Sequence, residues 1–429
     1  MRKRLLFVDD EAMVLDGLRR SLHGMRGEWE MCFVDSPSAA LEALQHDPYD
    51  AIISDMRMPM MDGAELLEQV KRGYPSIVRI VLSGQSSRAS VLRSITPAHQ
   101  FLSKPCDPQE LVVRLGQAFA MRDLLSNQSL KTMVSRLRSL PSLPVLYDEL
   151  MGALRSKDAS LVQIERIISK DIGMAAKILQ LANSAFIGTR GQVSSLLHAL
   201  TLIGTETVRT LVLSVHVFSQ FEDNSGVDVY LPALWDHSAK VAALAQQIAG
   251  SENCTKTIVE ESFSAGLLHD IGKVVLLAEM PREYGRILQS NPGVVAALEL
   301  EHLGCTHAQV GAYLVSIWGL PVPLVHAVAF HHRPSDSAET QFSALTAVHA
   351  AEAISSSTDM SPVHGDIELD LKYLERLGLR EKEALWRGFH EAYLARSHAG
   401  SGGGKDGMAR EDAGGSTTAI DEQDKSHEK

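Results

Sequence analysis

The first 120 residues alternate short apolar runs with amphipathic segments. Between the apolar runs, the stretches SAALEALQ and AELLEQVKR place apolar residues at helical spacing. Strands that alternate with helices predict a parallel, doubly wound α/β sheet, in which functional groups lie at the carboxyl ends of the strands. The five predicted strands are RLLFV (4–8), MCFV (31–34), AIIS (51–54), SIVRIVLS (76–83) and HQFLS (99–103).

The strand pattern is lost from about residue 121, and helical patterns continue to about residue 396. The stretch RDLLSNQSLKTMVSRLRSL predicts a connecting helix that stops at PSLP (141–144). Ser160 and Gln163 predict a capping box at the start of SLVQIERIISK. The second half is therefore predicted to be all-α. The Gly/Ser-rich, polar segment 397–429 cannot bury enough apolar surface to fold, so we predict a disordered tail.

The composition restricts the function classes. A chain of 429 residues with 45% hydrophobic and 22% charged residues is typical of a soluble protein with two or three domains. It has no apolar run long enough to span a bilayer, and its start does not resemble a signal peptide. Four scattered cysteines without CxxC spacing fit a reducing compartment, so we expect a cytoplasmic protein. A net charge of −12 disfavours DNA binding.

Three carboxylates follow predicted strands. Asp9 and Asp10 come after RLLFV, and Asp55 comes after AIIS. Such a cluster suits Mg²⁺, which prefers oxygen ligands. An aspartate there can attack phosphorus while the metal and a lysine neutralise the phosphoryl oxygens, and Lys104 is the candidate lysine. Each residue alone has a structural explanation as a helix cap or a turn, but their combination at strand ends favours a phosphoryl acceptor.

Residues 1–120 resemble the receiver domain of two-component response regulators. The resemblance implies a (βα)5 fold in which Asp55 is phosphorylated by a histidine kinase or a phosphotransfer protein. Lys104 would pair with the phosphoryl group, and Ser83 with Phe101 would form the switch. The matching residues are Asp9-Asp10, Asp55-Met56-Arg57-Met58-Pro59, Asp62-Gly63, Ser83 and Lys104-Pro105.

The same resemblance implies a magnesium site. Its ligands would be Asp10, Asp55 and the backbone carbonyl of Arg57, with Asp9 acting through water.

In the second half, His269 and Asp270 interrupt the apolar stretch SAGLLHDIGKVVLLAEM (264–280). Histidine and carboxylate together can bind Mn, Fe or Zn, and such a metal lowers the pKa of a bound water for attack on a phosphoester. His237 shares a helix face with Val241 and Leu244, which predicts that it points inward. The alternative is that these residues are hydrogen-bonded core groups. Further candidate ligands are His302, His307, His331, His332 and Glu352, of which His302 and His307 do not share a face, so at most one is expected in the site.

Residues 135–360 resemble the HDOD domain, a relative of the HD phosphohydrolases. The resemblance implies a helical bundle. It places His237, His269, Asp270 and Glu352 where HD enzymes bind one metal. The residues His307, His331 and His332 fall where the two-metal HD-GYP phosphodiesterases bind another, with Lys273 nearby. The matching motifs include LPSLP (140–144), DIGMAAKILQLANSAFIG (171–188), GLLHDIGK (266–273) and HAQVGAYLVSIWGLP (307–321).

Two departures from the enzymes stand out. RPSDSAET follows the paired histidines in place of a Gly-Tyr-Pro motif, and Glu352 stands where the enzymes have aspartate.

The resulting domain prediction is a receiver at 1–120, a helical linker at 121–140, an HDOD domain at 141–360, C-terminal helices packing on it at 361–396 and a disordered tail at 397–429.

Three functions from different classes were weighed. The first is a signalling adaptor, in which phosphorylated Asp55 switches an HDOD output domain that acts through an unidentified protein partner. The alternative is a phosphorylation-gated, metal-dependent phosphohydrolase acting on a cyclic dinucleotide or another nucleotide, so the sequence leaves enzymatic activity of the second half open. A transcription factor is disfavoured because a basic recognition helix is lacking. No membrane contact is expected, and a homodimer is compatible with the sequence.

Overall fold

The fold was analysed in a computed structural model of the chain. Among the described residues, the helices are too short or too polar to cross a membrane. The structure describes residues 2–83, 97–125, 127–137, 140–142, 144–155, 160–183, 192–205, 208, 219–220, 230–290, 294–356 and 367–401.

The N-terminal domain contains a five-stranded parallel sheet in the order β2-β1-β3-β4-β5. Because β1 and β4 both pair with β3, the carboxyl ends of these three strands meet at one edge of the sheet. The predicted doubly wound α/β fold is thus confirmed. The strands are β1 (Lys3–Val8), β2 (Trp29–Val34), β3 (Ala51–Asp55), β4 (Val78–Ser83) and β5 (Gln100–Ser103).

Burial explains the strand patterns. The central strands β3 and β4 are buried along their whole length, so they are nearly continuous apolar runs, whereas the edge strand β2 is partly exposed. Side chains of Ser36, Asp62 and Asp107 cap three of the flanking helices. The described helices of this domain are α1 (Ala12–Ser21), α2 (Pro37–His46), α3 (Gly63–Gly73) and α4 (Pro108–Leu124).

The connection to the second half differs from the predicted single helix. α4 ends at Leu124, and a separate helix, α5 (Gln128–Arg136), follows. Asn127 causes this break, because its side-chain oxygen accepts hydrogen bonds from the N–H groups of Ser129 and Leu130. Its side-chain amide also donates to the carbonyl of Leu303 in the second half. Asn127 is a residue type that favours helix N-caps, so the prediction of one continuous helix was wrong at this position.

The second half is helical, as predicted, apart from a short parallel pair between β6 (Pro141–Ser142) and β7 (Ser219–Gln220). Ser160 caps its helix by accepting from the N–H of Gln163, which is one half of the predicted capping box. Its helices are α6 (Pro144–Arg155), α7 (Leu161–Ile168), α8 (Ile172–Ala182), α9 (Leu196–Ile203), α10 (Tyr230–Ser251), α11 (Lys256–Leu268), α12 (Ile271–Glu279), α13 (Pro281–Leu288), α14 (Val295–Leu303), α15 (His307–Ile317), α16 (Val322–Phe330), α17 (Ala344–Ser356), α18 (Leu371–Arg376) and α19 (Glu383–Ser401).

The C-terminal segment packs on this bundle. α19 contacts α10 and α17, and Trp386 is fully buried with its indole N–H donating to Glu252. Because α19 runs to Ser401, the first five residues of the segment predicted as a disordered tail are helical. The rest of that prediction, residues 402–429, lies outside the described residues, as do residues 184–188 of the DIGMAAKILQLANSAFIG motif.

A buried polar joint connects the two halves. The Arg79 guanidinium donates to the carbonyl of Ser135 in α5, and the Nδ1 atom of His99 accepts from the Arg79 backbone N–H. The Ser135 hydroxyl in turn lies 2.9 Å from the Tyr313 hydroxyl in α15. Burial, followed by the positive charges of Arg79 and Lys71, lowers the pKa of His99 well below its usual value. The joint therefore requires a neutral His99.

Candidate functional site

The carboxylate cluster forms at the edge of the sheet where β1 and β3 end. Ligand oxygens of Asp9, Asp10 and Asp55 lie within 4.8 Å of one another, with Asp10 exposed and the other two buried. The Lys104 ammonium lies 2.7 Å from Asp9 Oδ2 and 2.6 Å from Asp55 Oδ1. Burial alone would lower the pKa of Lys104, but the two carboxylates outweigh burial and raise it. The lysine thus stays charged between the acids.

The surrounding loop fixes the position of Asp55. Its Oδ2 atom accepts from the N–H of Arg57 at 2.9 Å. Gly63 begins α3 directly against this residue, since a Cβ there would lie 2.1 Å from the Asp55 carbonyl oxygen. Ser83 ends β4, and its carbonyl accepts from the N–H of Lys104. Phe101 is buried in β5.

A second cluster lies inside the helical half. His237 comes from the middle of α10, and His269 and Asp270 lie at the junction of α11 and α12. His307 is the first residue of α15, and Glu352 lies in α17. His331 and His332 directly follow α16, so the helix end turns both rings inward. The ligand atoms form two groups, and the atoms of each group lie within 4.8 Å of one another. Asp270 belongs to both groups. The first group is His237, His269, Asp270 and Glu352, and the second is Asp270, His307, His331 and His332.

Asp270 lies at the centre of this cluster. Its Oδ2 atom is 3.4 Å from His269 Nε2 and 3.9 Å from His237 Nε2. The other oxygen, Oδ1, is 3.2 Å from His307 Nε2 and 3.9 Å from His331 Nε2. One carboxylate therefore faces both groups of histidines, so Asp270 would be a ligand for a metal ion held by either group. Lys273 also donates to Oδ2 at 2.7 Å.

Backbone carbonyls orient two of the histidine rings by contacting the ring nitrogen that faces away from the cluster. The Nδ1 atom of His269 lies 2.7 Å from the carbonyl of Gly266, and that of His331 lies 2.9 Å from the carbonyl of Val328. These contacts place the hydrogen on Nδ1 and turn Nε2 into the cluster, the usual arrangement of metal-bound histidines. Among the described residues, buried His269 Nε2, His331 Nε2 and Glu352 Oε2 have no hydrogen-bond partner. A metal ion would satisfy these atoms, so the residues fit one.

Burial and mutual charge set the protonation of the cluster. Burial, followed by neighbouring imidazoles, lowers the pKa of His331 and His332 well below the usual value, so both are neutral as a metal ligand must be. Burial raises the pKa of Glu352 to about 7. For Asp270, burial is outweighed by Lys273 and His269, which hold its pKa well below its usual value.

Family models match both halves of the chain. The response regulator receiver domain matches residues 5–116, and the HDOD domain matches residues 140–334. The chain joins a receiver domain to an HDOD domain. Both predicted resemblances are thereby confirmed, and the combination supports a response regulator, for which a histidine kinase or phosphotransfer protein is the implied partner.

Several known proteins share parts of this arrangement. An uncharacterised protein of Treponema pallidum is 25% identical over 47% of this chain, and the hydrogenase transcriptional regulatory protein HoxA of Cupriavidus necator is 32% identical over 38% of it. The chain spans only 39% and 33% of the lengths of these two relatives. The solved structure of the MmoQ response regulator from Methylococcus capsulatus is 25% identical, with a TM-score of 0.44, over 58% of this chain and 98% of that one.

The structure brings together the candidate residues of each domain. In the receiver, Asp9, Asp10, Asp55 and Lys104 converge as expected. In the HDOD domain, all seven candidate ligands lie in the cluster. His302 does not, because it is exposed on α14, in agreement with the prediction that at most one of His302 and His307 could be in the site.

Glu299 in α14 contacts the cluster but is not among the residues predicted from the sequence. This buried carboxylate accepts from the N–H of His307 at 3.0 Å and lies 2.8 Å from His307 Nδ1. It also accepts from the Tyr284 hydroxyl at 2.6 Å. Burial lowers the pKa of His307, but Glu299 outweighs it, and the pKa is raised to about 9. A metal ion bound to His307 would therefore displace a proton from its ring. A signal existed, since Glu299 is an acid between two leucines in VVAALELEHL.

Proposed function

We propose that Asp55 of this response regulator accepts a phosphoryl group and that the phosphorylated receiver switches the HDOD domain. The observation that carries the proposal is the position of the Lys104 ammonium, 2.6 Å from Asp55 and 2.7 Å from Asp9. This position supports a phosphorylation site, because it sets the positive charge of Lys104 beside the negative charges of the two carboxylates. Transfer of a phosphoryl group to Asp55 adds negative charge there, which the lysine is placed to neutralise.

Each residue has a chemical task in this proposal. An oxygen of Asp55 forms the new bond to phosphorus as the bond to the donor breaks, and an acyl phosphate results. Lys104 pairs with a phosphoryl oxygen, and the Ser83 hydroxyl donates to another. Asp10, Asp55 and the carbonyl of Arg57 would hold Mg²⁺, with Asp9 acting through water, and the ion would supply further positive charge to the phosphoryl oxygens.

Labelling tests this assignment. The full chain is incubated with acetyl phosphate with and without Mg²⁺, and the modified residue is located by mass spectrometry. We expect a Mg²⁺-dependent phosphoryl group on Asp55, absent from Asp55→Asn. The matched control is Asp16→Asn, which changes an exposed aspartate on α1 and should label normally. Undiminished labelling of Asp55→Asn contradicts the assignment.

For the output, we propose that the HDOD domain acts through a protein partner, as many HDOD domains are thought to do. A specific observation also favours the second candidate, a metal-dependent phosphohydrolase. Six further ligand residues converge around Asp270, and three of their buried atoms have no hydrogen-bond partner among the described residues. Mn, Fe or Zn held there would activate a water for attack on a phosphoester. His332 is the partly exposed member of the set, so a substrate would approach from its side.

Metal analysis separates the two outputs. The chain is loaded with Zn²⁺, freed of excess ion, and its metal content and its hydrolysis of bis(p-nitrophenyl) phosphate are measured. The phosphohydrolase requires retained metal and turnover, both lost in His269→Ala and both kept in the exposed control His302→Ala. Retained metal without turnover favours the protein-binding output, and a chain that retains no metal excludes the phosphohydrolase.

A further inference from the structure

One helix contacts both domains at functionally important points. α15 begins with His307 in the metal-ligand cluster and ends at Ile317, next to the receiver. Eleven helical residues span roughly 16 Å. Ten of these residues are buried, the exception being Gln309. A helix packed on almost all sides moves as a unit, because close-packed interiors do not deform continuously.

The HDOD end of α15 is locked to the helix that follows Asp270. A Cβ atom on Gly272 would lie 1.9 Å from the His307 carbonyl oxygen and 2.8 Å from the Gly311 nitrogen. The backbones of α12 and α15 are therefore in direct contact, without side chains between them. A displacement of α15 must move His307 relative to Asp270 or carry α12 with it. Either result changes the distances within the cluster.

The receiver end of α15 is held by two polar side chains. The Gln100 side-chain amide in β5 donates to the carbonyl of Ser316 at 2.9 Å, and Arg114 in α4 donates to the carbonyl of Gly319 at 3.5 Å. Gln100 begins the strand that ends one residue before Lys104. β5 is thus connected to α15 through Gln100 at its first residue and to Asp55 through Lys104, which directly follows its last residue.

We propose that α15 couples the two sites, so that metal in the HDOD cluster changes the lifetime of the phosphoryl group on Asp55, and phosphorylation changes metal affinity. A phosphoryl group that repositions Lys104 displaces β5, and Gln100 passes this displacement to the carboxyl end of α15. The amino end then moves His307. Coupling between two binding equilibria is reciprocal, so a conformation that phosphorylation favours and that binds metal more tightly is also favoured by metal. The half-life of the phosphoryl group is a kinetic readout of that change in conformation. This proposal rests on the proposed phosphorylation of Asp55 and on metal binding in the HDOD cluster.

The test measures the phosphoryl half-life in the full chain. Protein stripped with a chelator and returned to excess Mg²⁺ is compared with the same protein reloaded with Zn²⁺. We expect the half-life to differ by about fivefold or more, the lower end of typical allosteric couplings. Gln100→Met keeps the length of the side chain but removes the donor to Ser316, and it should reduce this difference to less than about twofold. The control Gln109→Met makes the same change at an exposed position of α4 and should keep the full difference.

The outcomes separate this proposal from the proposed function. A chain that takes up no label fails the proposed function. A chain that takes up label but no Zn²⁺ leaves the phosphorylation intact, excludes the phosphohydrolase and overturns the coupling. A wild-type chain that takes up both, with equal half-lives, refutes the coupling alone. A full Zn²⁺ effect in Gln100→Met refutes the route through α15. A Zn²⁺ effect that persists in His269→Ala places the ion at the receiver and also overturns the proposal.

Discussion

Replacing Gly272 by alanine should disrupt the contact between α12 and α15. The added Cβ would lie 1.9 Å from the His307 carbonyl oxygen, whereas real contacts of this kind do not fall below 3.0 Å. The two backbones must therefore separate by at least 3.0 − 1.9 = 1.1 Å. The atom opposite is backbone, which cannot rotate away as the end of a flexible side chain can.

The separation has two measurable consequences. Overpacking of this kind costs about 1–3 kcal/mol or more, so the urea midpoint of HDOD unfolding should fall. A shift of this size also exceeds the roughly 0.5 Å tolerance of a built site, so Zn²⁺ content should fall as well. The matched control is Gly285→Ala in α13, where a Cβ meets no atom within 4 Å. That variant should gain about 0.5–1 kcal/mol, because alanine is favoured over glycine inside a helix. A Gly272→Ala chain with wild-type stability and metal content would refute the reasoning.

Two further predictions follow from buried groups outside the ligand set. Glu299→Gln should weaken Zn²⁺ binding by about tenfold or more, because it removes the charge that orients His307. Titration against a competing chelator measures the affinity, and the exposed control Glu301→Gln should bind Zn²⁺ normally. Equal affinities of Glu299→Gln and the wild type would contradict this prediction. Since the pKa of His99 is lowered in the folded chain, its contribution to stability is complete above the unfolded value of about 6.5. It is lost as pH falls below that value, by on the order of 1 kcal/mol between pH 7.5 and 5.5. Urea unfolding at both pH values should show a larger loss of stability in the wild type than in His99→Asn, in which the neighbour of Arg79 cannot titrate. Equal losses of stability in the two chains would disprove the role of His99.

Most of the receiver could be predicted from sequence because its signals are local. Each strand either ends at a polar residue, such as Asp55 or Ser83, or is directly followed by one, such as Asp9. The rule that parallel strands share one functional edge then places these residues together. The buried joint could not be predicted in this way. Arg79 looks like an ordinary charged residue inside SIVRIVLS. Its guanidinium donates to the carbonyls of Pro75, Ile77 and Pro97 in the receiver and to that of Ser135 in α5, and the local pattern indicates none of these partners.

In the HDOD domain, residue types indicated the ligands but not their arrangement. His237 and Glu352 are separated by more than 100 positions, so no spacing rule predicts that both face Asp270. Helical periodicity did predict that His237 points inward, and it is 1% exposed. The contact between Gly272 and α15 depends on tertiary packing, since nothing in GLLHDIGK specifies which helix approaches the glycine.

The central claim is that phosphorylation of Asp55 alters the HDOD domain. Hydrogen exchange of the full chain, with and without acetyl phosphate in the presence of Mg²⁺, tests it most directly. The account predicts that exchange changes in α15 and around His269-Asp270, and that Asp55→Asn shows no such change. Complete labelling of Asp55 with unaltered exchange throughout residues 230–356 would contradict the account.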